Sequence, residues 1–295
     1  MKKIYTSVLI LVFLVIFHSS YSETCFPPQE NQNTIPIDLV FCIDVSGSTN
    51  GLLELLGERL PDIINEIKQS NSSAIVRVSI VGYGRPSFGE TNGYSKVIID
   101  LTDDFDFIIN ELFSIPANIE FGKQHVGMAI QTATKNVSWS KEANTIKVIY
   151  LMGNGMVNLG DYEYQKACEE AMAAKITVNA LYWKSYFKLD EIAGWKRVAE
   201  LGKGGYYAVE PSSKFFLMDT PYDVAMLREL NFLLNNTFVH YGIAGKSRFK
   251  MIEDLDKKIS KTNEMLFQSR IILKVTEYSQ GKNQNLMKKA PDRKY

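Results

Sequence analysis

The chain has 295 residues, of which 45% are hydrophobic and 22% are charged, a composition typical of a globular protein and not of a disordered one. Its 33 basic and 33 acidic residues give a formal net charge of zero. The whole chain therefore has no electrostatic attraction to nucleic acid or to an anionic membrane, and we expect no nucleic-acid partner. With three cysteines and three histidines, the sequence offers no pattern typical of a zinc site.

Residues 1–22 predict a signal peptide. Two lysines open the segment, residues 4–17 are mostly apolar, and Ser20 and Ser22 are small residues suited to cleavage before Glu23. The apolar stretch is shorter than the roughly 20 residues of a membrane-spanning helix, and an uncleaved anchor is the alternative. We expect export from a bacterial cell, to the periplasm, the cell surface or the medium. After cleavage we expect no membrane insertion.

Apolar runs rich in β-branched residues alternate with helical patterns along the next part of the chain. The predicted strands are residues 37–44, 74–84, 95–101, 145–153, 176–183 and 205–210. The predicted helices between them are residues 51–69, 103–113, 126–137, 164–175 and 190–202. This alternation predicts an α/β fold with a Rossmann-like, doubly wound and mostly parallel sheet. In such folds the ligand site lies beyond the carboxyl ends of the strands.

The character of the sequence changes after about residue 211. Residues 219–277 predict a helical C-terminal extension that includes one long charged helix from about 247 to 275. Residues 278–295 have too little apolar content to pack, and we expect a flexible tail.

Polar side chains follow the first strand in the stretch FCIDVSGST, residues 41–49. One carboxylate and two hydroxyls at alternate positions, Asp44, Ser46 and Ser48, offer the oxygen ligands that Mg²⁺ or Mn²⁺ prefers. The alternative is a capped loop, in which Asp44 accepts loop amides and Ser48 or Thr49 caps the next helix.

This stretch, at the end of the first strand of an alternating α/β domain, resembles the von Willebrand factor type A (VWA) family. Residues 36–211 are similar to that domain, and KVIYLMGNG and the segment after residue 219 are similar to a bacterial exported branch with a helical tail. The resemblance implies a metal-ion-dependent adhesion site of the form D-x-S-x-S.

The resemblance also implies two more metal ligands, and both depart from the family pattern. Gln124 stands where the family has threonine, and Asn154 stands where it has aspartate. The site would keep a single carboxylate, so we expect weaker cation binding or none. His125 and Asp161 are candidates for the partner-binding rim of the same site. The alternatives are an ordinary exposed histidine and a helix N-cap, respectively.

The resulting hypothesis is an exported, non-enzymatic binding or adhesion module. It would recognise a protein partner at the carboxyl ends of the strands, through a divalent cation or by hydrogen bonds alone. The alternative is a structural or assembly protein that acts through its C-terminal helices and has a non-functional metal site. We expect no enzymatic activity, because no nucleophile and base come together in the sequence patterns.

Overall fold

The computed structural model describes residues 34–49, 51–115, 120, 122–184, 188–210 and 223–279. The predicted signal peptide, its cleavage site and the tail beyond residue 279 lie outside the described residues. Within the described ranges, no helix is both long enough and apolar enough to cross a membrane.

Six strands and eight α-helices make up the described part of the chain. The strands are β1 Ile35–Asp44, β2 Ala74–Tyr83, β3 Ser95–Thr102, β4 Ile146–Gly153, β5 Thr177–Trp183 and β6 Lys203–Val209. The helices are α1 Leu52–Ser70, α2 Phe105–Ser114, α3 Val126–Lys135, α4 Tyr164–Ala173, α5 Leu189–Leu201, α6 Val224–Asn236, α7 Gly242–Thr262 and α8 Glu264–Ser279. Each predicted strand and helix of the alternating region is present, with small shifts of its ends.

The strands form one sheet in the order β3-β2-β1-β4-β5-β6. Only β3 runs antiparallel to its neighbour; the remaining pairs are parallel. The predicted mostly parallel, doubly wound α/β fold is therefore confirmed. Because β1 is flanked by β2 and β4, the loop after Asp44 opens at the middle of the sheet, where chain connections diverge to either side.

Both faces of the sheet are buried, which explains the continuous apolar run of β1. Leu39, Phe41 and Ile43 pack with α1 and α2 in one hydrophobic cluster. Val40 and Cys42 point the other way and pack with α3, α4 and α5 in a second cluster. The period of two along the strand thus divides the core between the two faces.

The C-terminal helices lie on the α1 side of the sheet and belong to its core. Leu266, Phe267 and Ile271 of α8 are buried in the same cluster as Leu56 and Leu60 of α1. The prediction of one long helix over about 247–275 was wrong. The helix is interrupted at Asn263, whose backbone is extended between α7 and α8. Helix α8 also continues to Ser279, two residues into the predicted tail.

Candidate functional site at the carboxyl ends of β1 and β4

Asp44 is the last residue of β1 and is almost completely buried, with 1% of its surface exposed. Its Oδ1 accepts a hydrogen bond of 2.9 Å from the backbone N–H of Ser46. The Thr49 hydroxyl donates to the carbonyl oxygens of Asp44 and Ser46 over 2.7 and 3.0 Å. These bonds fold the chain sharply back after the strand and hold both serines beside the carboxylate.

The capped-loop alternative is correct in one part only. Asp44 does accept a loop amide, as that alternative required. The N-cap of α1, however, is Gly51, which has a left-handed backbone conformation and provides no side-chain cap. The hydroxyl of Ser48 is therefore not used as a helix cap.

The two serine hydroxyls join side chains from two other segments. Ser46 Oγ and Ser48 Oγ are 3.0 Å apart, and Ser48 donates to Asn154 Oδ1 over 3.0 Å. Asn154 returns a bond from Nδ2 to the Ser48 carbonyl at 3.1 Å. Gln124 Nε2 donates to Ser46 Oγ at 3.1 Å and to Ser48 Oγ at 3.4 Å. The five side chains singled out in the sequence thus meet in one cluster.

Two glycines leave the space that this cluster occupies. A Cβ at Gly84 would lie 2.8 Å from Asp44 Oδ1, and the φ of that glycine is +87°. A Cβ at Gly153 would lie 2.3 Å from Tyr83 Oη and 2.7 Å from Asp44 Cβ. Any larger residue at either position would push against the carboxylate or its neighbours.

Burial raises the pKa of Asp44 from 3.8 to about 6, while hydrogen bonding by Ser46 and the nearby backbone N–H of Asn154 oppose that rise. Asp44 Oδ2 is buried and makes no hydrogen bond with the described residues. A buried oxygen without a partner is costly unless something else binds it. The carboxylate thus has one oxygen committed to the loop and one available.

The rim candidates lie beside the cluster but outside its hydrogen-bond network. The His125 ring meets the Tyr94 ring edge-on, with centroids 5.0 Å apart, and packs closely against Gly160. Burial and Lys123 lower the pKa of His125, and the carboxylates of Asp161 and Glu90 partly oppose the shift. His125 is therefore only partly exposed.

Asp161 is exposed in the loop between β4 and α4. Its influence on the pKa of His125 places it on the same side of the rim. The N-cap alternative for Asp161 was wrong, because Glu163 occupies the N-cap position of α4.

The donor set of the cluster fits a hard cation in chemistry. It combines the partnerless Asp44 Oδ2, two hydroxyls and the amide oxygen of Asn154, which are the ligand types of Mg²⁺ and Mn²⁺. Among the described residues, no group of three or more acidic, histidine or cysteine side chains lies close enough together to hold a metal. One negative charge predicts weak affinity, and Gln124 points its N–H donors at both hydroxyls.

Sequence reasoning missed three residues that hold the loops of the site. Arg85 Nε donates to the Val45 carbonyl at 2.8 Å. The Glu120 carbonyl accepts from Gly47 N–H at 3.2 Å. Glu191 Oε2 accepts from Gly155 N–H at 3.1 Å and from the Tyr182 hydroxyl at 2.9 Å. Each acts across a long sequence separation, so no local pattern reveals it.

The family model for the von Willebrand factor type A domain matches residues 38–194. No curated protein sequence matches the chain at a significant level. The solved structures that resemble the chain include the following three. The first is an aerotolerance-related membrane protein from Bacteroides fragilis, at 15% identity and a TM-score of 0.44, covering 59% of this chain and 91% of that one.

The second is proximal thread matrix protein 1 from the mussel byssus, described with a zinc-occupied MIDAS motif. It is 15% identical, with a TM-score of 0.47 over 61% of this chain and 43% of that one. The third is the pilus adhesin SpaC from Lactobacillus rhamnosus GG, at 14% identity and a TM-score of 0.44, over 60% and 29% of the two chains. The chain thus spans less than half of the mussel and pilus proteins.

Proposed function

Because the chain belongs to the von Willebrand factor type A family, we propose that it is an exported, non-enzymatic binding module that recognises a protein partner at the carboxyl ends of β1 and β4. One observation carries the proposal: four side chains from three separate segments meet there in one hydrogen-bonded cluster, beside the Asp44 carboxylate that accepts from the Ser46 backbone N–H. Ser48 lies at the exposed side of that cluster. A partner therefore meets hydroxyl and amide groups already held in place.

The chemistry of the cluster supports binding over catalysis. The neighbours of the two hydroxyls are each other and the amides of Gln124 and Asn154, which are not bases at neutral pH. The His125 ring packs against Tyr94 and Gly160 at the rim. Activating a serine as a nucleophile needs a base within hydrogen-bond reach of its hydroxyl.

A divalent cation is the finer part of the proposal. Asp44, Ser46 and Ser48 would hold it, with Asn154 as a secondary ligand through its amide oxygen and Gln124 as another once its amide turns to present its oxygen. When bound, the cation would supply positive charge that attracts an oxygen ligand of the partner. The residues of the chain keep the site shaped for it, because Gly84 and Gly153 leave room around the carboxylate.

Calorimetric titration tests the cation. Mg²⁺ and Mn²⁺ are titrated into the wild-type protein, into Asp44→Asn and into Lys141→Ala, a control exposed in the segment before β4. We expect saturable weak binding by the wild type and the control and none by Asp44→Asn. Equal heats in all three proteins would refute cation binding at Asp44 and leave hydrogen bonding as the means of partner recognition.

Site-specific photo-crosslinking in the source cells tests the partner. A photo-reactive amino acid is placed at position 48 or, as the control, at position 141. We expect a distinct crosslinked protein from position 48 only, and the crosslink should weaken when Asn154→Ala is added. Crosslinking that is equal at both positions, or absent at position 48, would contradict recognition at this edge.

A further inference from the structure

The segment that joins α6 to α7 exposes apolar side chains to an unusual degree. Val239, Tyr241 and Ile243 are 85%, 87% and 86% exposed. We call residues 239–243 the apolar tip. The adjacent outer face of α6 adds Met226, Phe232 and Leu233, which are also exposed. Soluble proteins rarely expose so many large apolar side chains together without a binding role.

The apolar tip is held in its shape by the residues that alternate with it. The rings of Phe238 and His240 both pack against Phe249 of α7, with centroids 6.0 and 5.4 Å away. Alternate residues of an extended segment point in opposite directions, so Val239 and Tyr241 project outward. The apolar side chains are therefore fixed as a convex projection.

Two exposed lysines lie beside this projection on α7, and the nearest acidic residues in the sequence are Glu229 of α6 and Glu253 of α7. Residues 230–252 contain three lysines and arginines and no aspartate or glutamate. Lys246 and Lys250 are exposed and lie four residues apart, on one face of α7. Arg248 is instead paired with Asp104 of the loop before α2. These two lysines place positive charge beside the tip, although the formal net charge of the whole chain is zero.

We propose that the apolar tip docks the protein on a lipid surface that carries anionic headgroups. Val239 and Ile243 enter the acyl boundary, Tyr241 lies at the headgroup level, and Lys246 and Lys250 contact the phosphates. A convex projection with alternating exposed side chains suits a deformable lipid surface better than a rigid protein groove. The flanking charge selects anionic lipid. The proposal is independent of the site at Asp44, and it adds a surface contact to the expectation that the mature chain does not insert into a membrane.

Vesicle co-sedimentation tests the proposal, using the chain from Glu23 onward, which retains all of the described residues. The vesicles contain phosphatidylcholine alone or with one quarter phosphatidylglycerol. We expect binding to the anionic vesicles only, and weakening by salt. The double variant Val239→Asp/Ile243→Asp should lower the partition coefficient at least about tenfold. Lys246→Glu/Lys250→Glu should abolish the preference for anionic lipid.

The matched control is Leu189→Asp, which changes a leucine that is 81% exposed at the start of α5. It should bind vesicles like the wild type. Circular dichroism checks that each variant is folded. The proposal is overturned if the wild type does not bind anionic vesicles, or if the tip variant binds as well as the control. It is also overturned if the wild type is a dimer that the tip variant dissociates, because the tip would then bind a second copy.

Discussion

At the residue scale, the properties of Asp44 depend both on its position in the sequence and on the residues that enclose it in the fold. The sequence places a carboxylate at the end of a buried strand, and the fold then encloses it beside Gly84, Gly153 and Tyr83. The enclosure raises its pKa and leaves Oδ2 without a partner among the described residues. Both properties have consequences that can be measured in the absence of cations.

The first prediction concerns the pH dependence of stability. The folded pKa of Asp44, about 6, is above the ordinary 3.8. Protonation of Asp44 therefore stabilises the folded state. This contribution is fully present below about pH 4 and is lost as the pH rises through 6. With EDTA present, Asp44→Asn should gain up to about 3 kcal/mol relative to the wild type between pH 4 and pH 7. Urea denaturation across this range measures the difference.

Asp100→Asn serves as a control for this prediction, because the pKa of Asp100 is shifted in the opposite direction to that of Asp44. Burial acts to raise the pKa of Asp100, but hydrogen bonds from Ser138 and from the backbone of Leu101 lower it overall. This variant should therefore lose stability relative to the wild type as the pH rises toward about 4, and the difference should stay constant between pH 4 and pH 7. Parallel curves for Asp44→Asn and the wild type would contradict the predicted burial of the charge.

The second prediction compares two glycines. Gly153→Ala should lower the free energy of unfolding by about 1–3 kcal/mol, because its Cβ would lie 2.3 Å from Tyr83 Oη. Gly57→Ala in α1 should raise it by about 0.5–1 kcal/mol, since its Cβ would meet no atom closer than 3.6 Å and alanine favours the helix. Thermal or urea unfolding of both variants checks the signs. A neutral Gly153→Ala would show that the site is looser than described.

At the element scale, the C-terminal helices show where local patterns mislead. The helical period continues through Asn263, so the sequence predicts one helix. In the fold, Asn263 Nδ2 donates to Glu58 Oε1 of α1 at 2.8 Å, and its Oδ1 accepts from Leu266 N–H at 3.0 Å. Asparagine suits both a helix surface and a cap, and packing against α1 decides between them.

Buried charges fasten these helices to the rest of the molecule. Arg270 of α8 is almost fully buried and pairs with Asp106 of α2 and Asp256 of α7. Burial acts to raise the pKa of Asp106, but Arg270, Lys274 and Arg248 together hold it below its usual value. Lys68 of α1 also pairs with Glu277 of α8 at 2.8 Å. The pairs connect helices that are far apart in the sequence.

The third prediction follows from this burial. Arg270→Met should destabilise the protein by about 3–5 kcal/mol, because it removes a buried guanidinium and leaves Asp106 without its ion-pair partner, while Asp256 keeps Lys274. The control Arg197→Met removes an arginine whose side chain is 51% exposed beside Glu200. It should cost less than about 1 kcal/mol. Denaturant unfolding of the two variants gives the comparison. Equal losses in the free energy of unfolding would contradict a stabilising role for the buried Arg270.

At the scale of the whole molecule, one hydrophobic cluster extends from β1 through α1 to α8. The C-terminal helices are thus packed into the core of the α/β domain. Separate unfolding of the extension would expose Leu266, Phe267 and Ile271 of α8 and the α1 side chains they cover. The fourth prediction is therefore a single cooperative unfolding transition.

Tryptophan fluorescence and far-ultraviolet circular dichroism test that prediction together. All three tryptophans lie before residue 200, so fluorescence reports on the α/β part, whereas circular dichroism also includes α6, α7 and α8. We expect coincident midpoints in urea. A circular dichroism transition that precedes the fluorescence transition would show that the extension unfolds alone.

Three properties of the protein follow from the sequence alone: the order of strands and helices, the mostly parallel α/β class, and the meeting of Asp44, Ser46 and Ser48 at a strand end. These properties depend on local periodicity and on the residue sequence around one turn, so they are readable without a structure. The resemblance to a known family added Gln124 and Asn154 to that position.

Four other properties required the folded structure: the direction of the Gln124 amide, the lack of a hydrogen-bond partner for Asp44 Oδ2 among the described residues, the helix break at Asn263, and the exposure of Val239, Tyr241 and Ile243. Each depends on side chains brought together from distant parts of the chain. A hydrogen bond, a buried ion pair or an exposed apolar surface exists only after packing has positioned residues from distant parts of the chain. A local stretch of sequence contains only some of those residues.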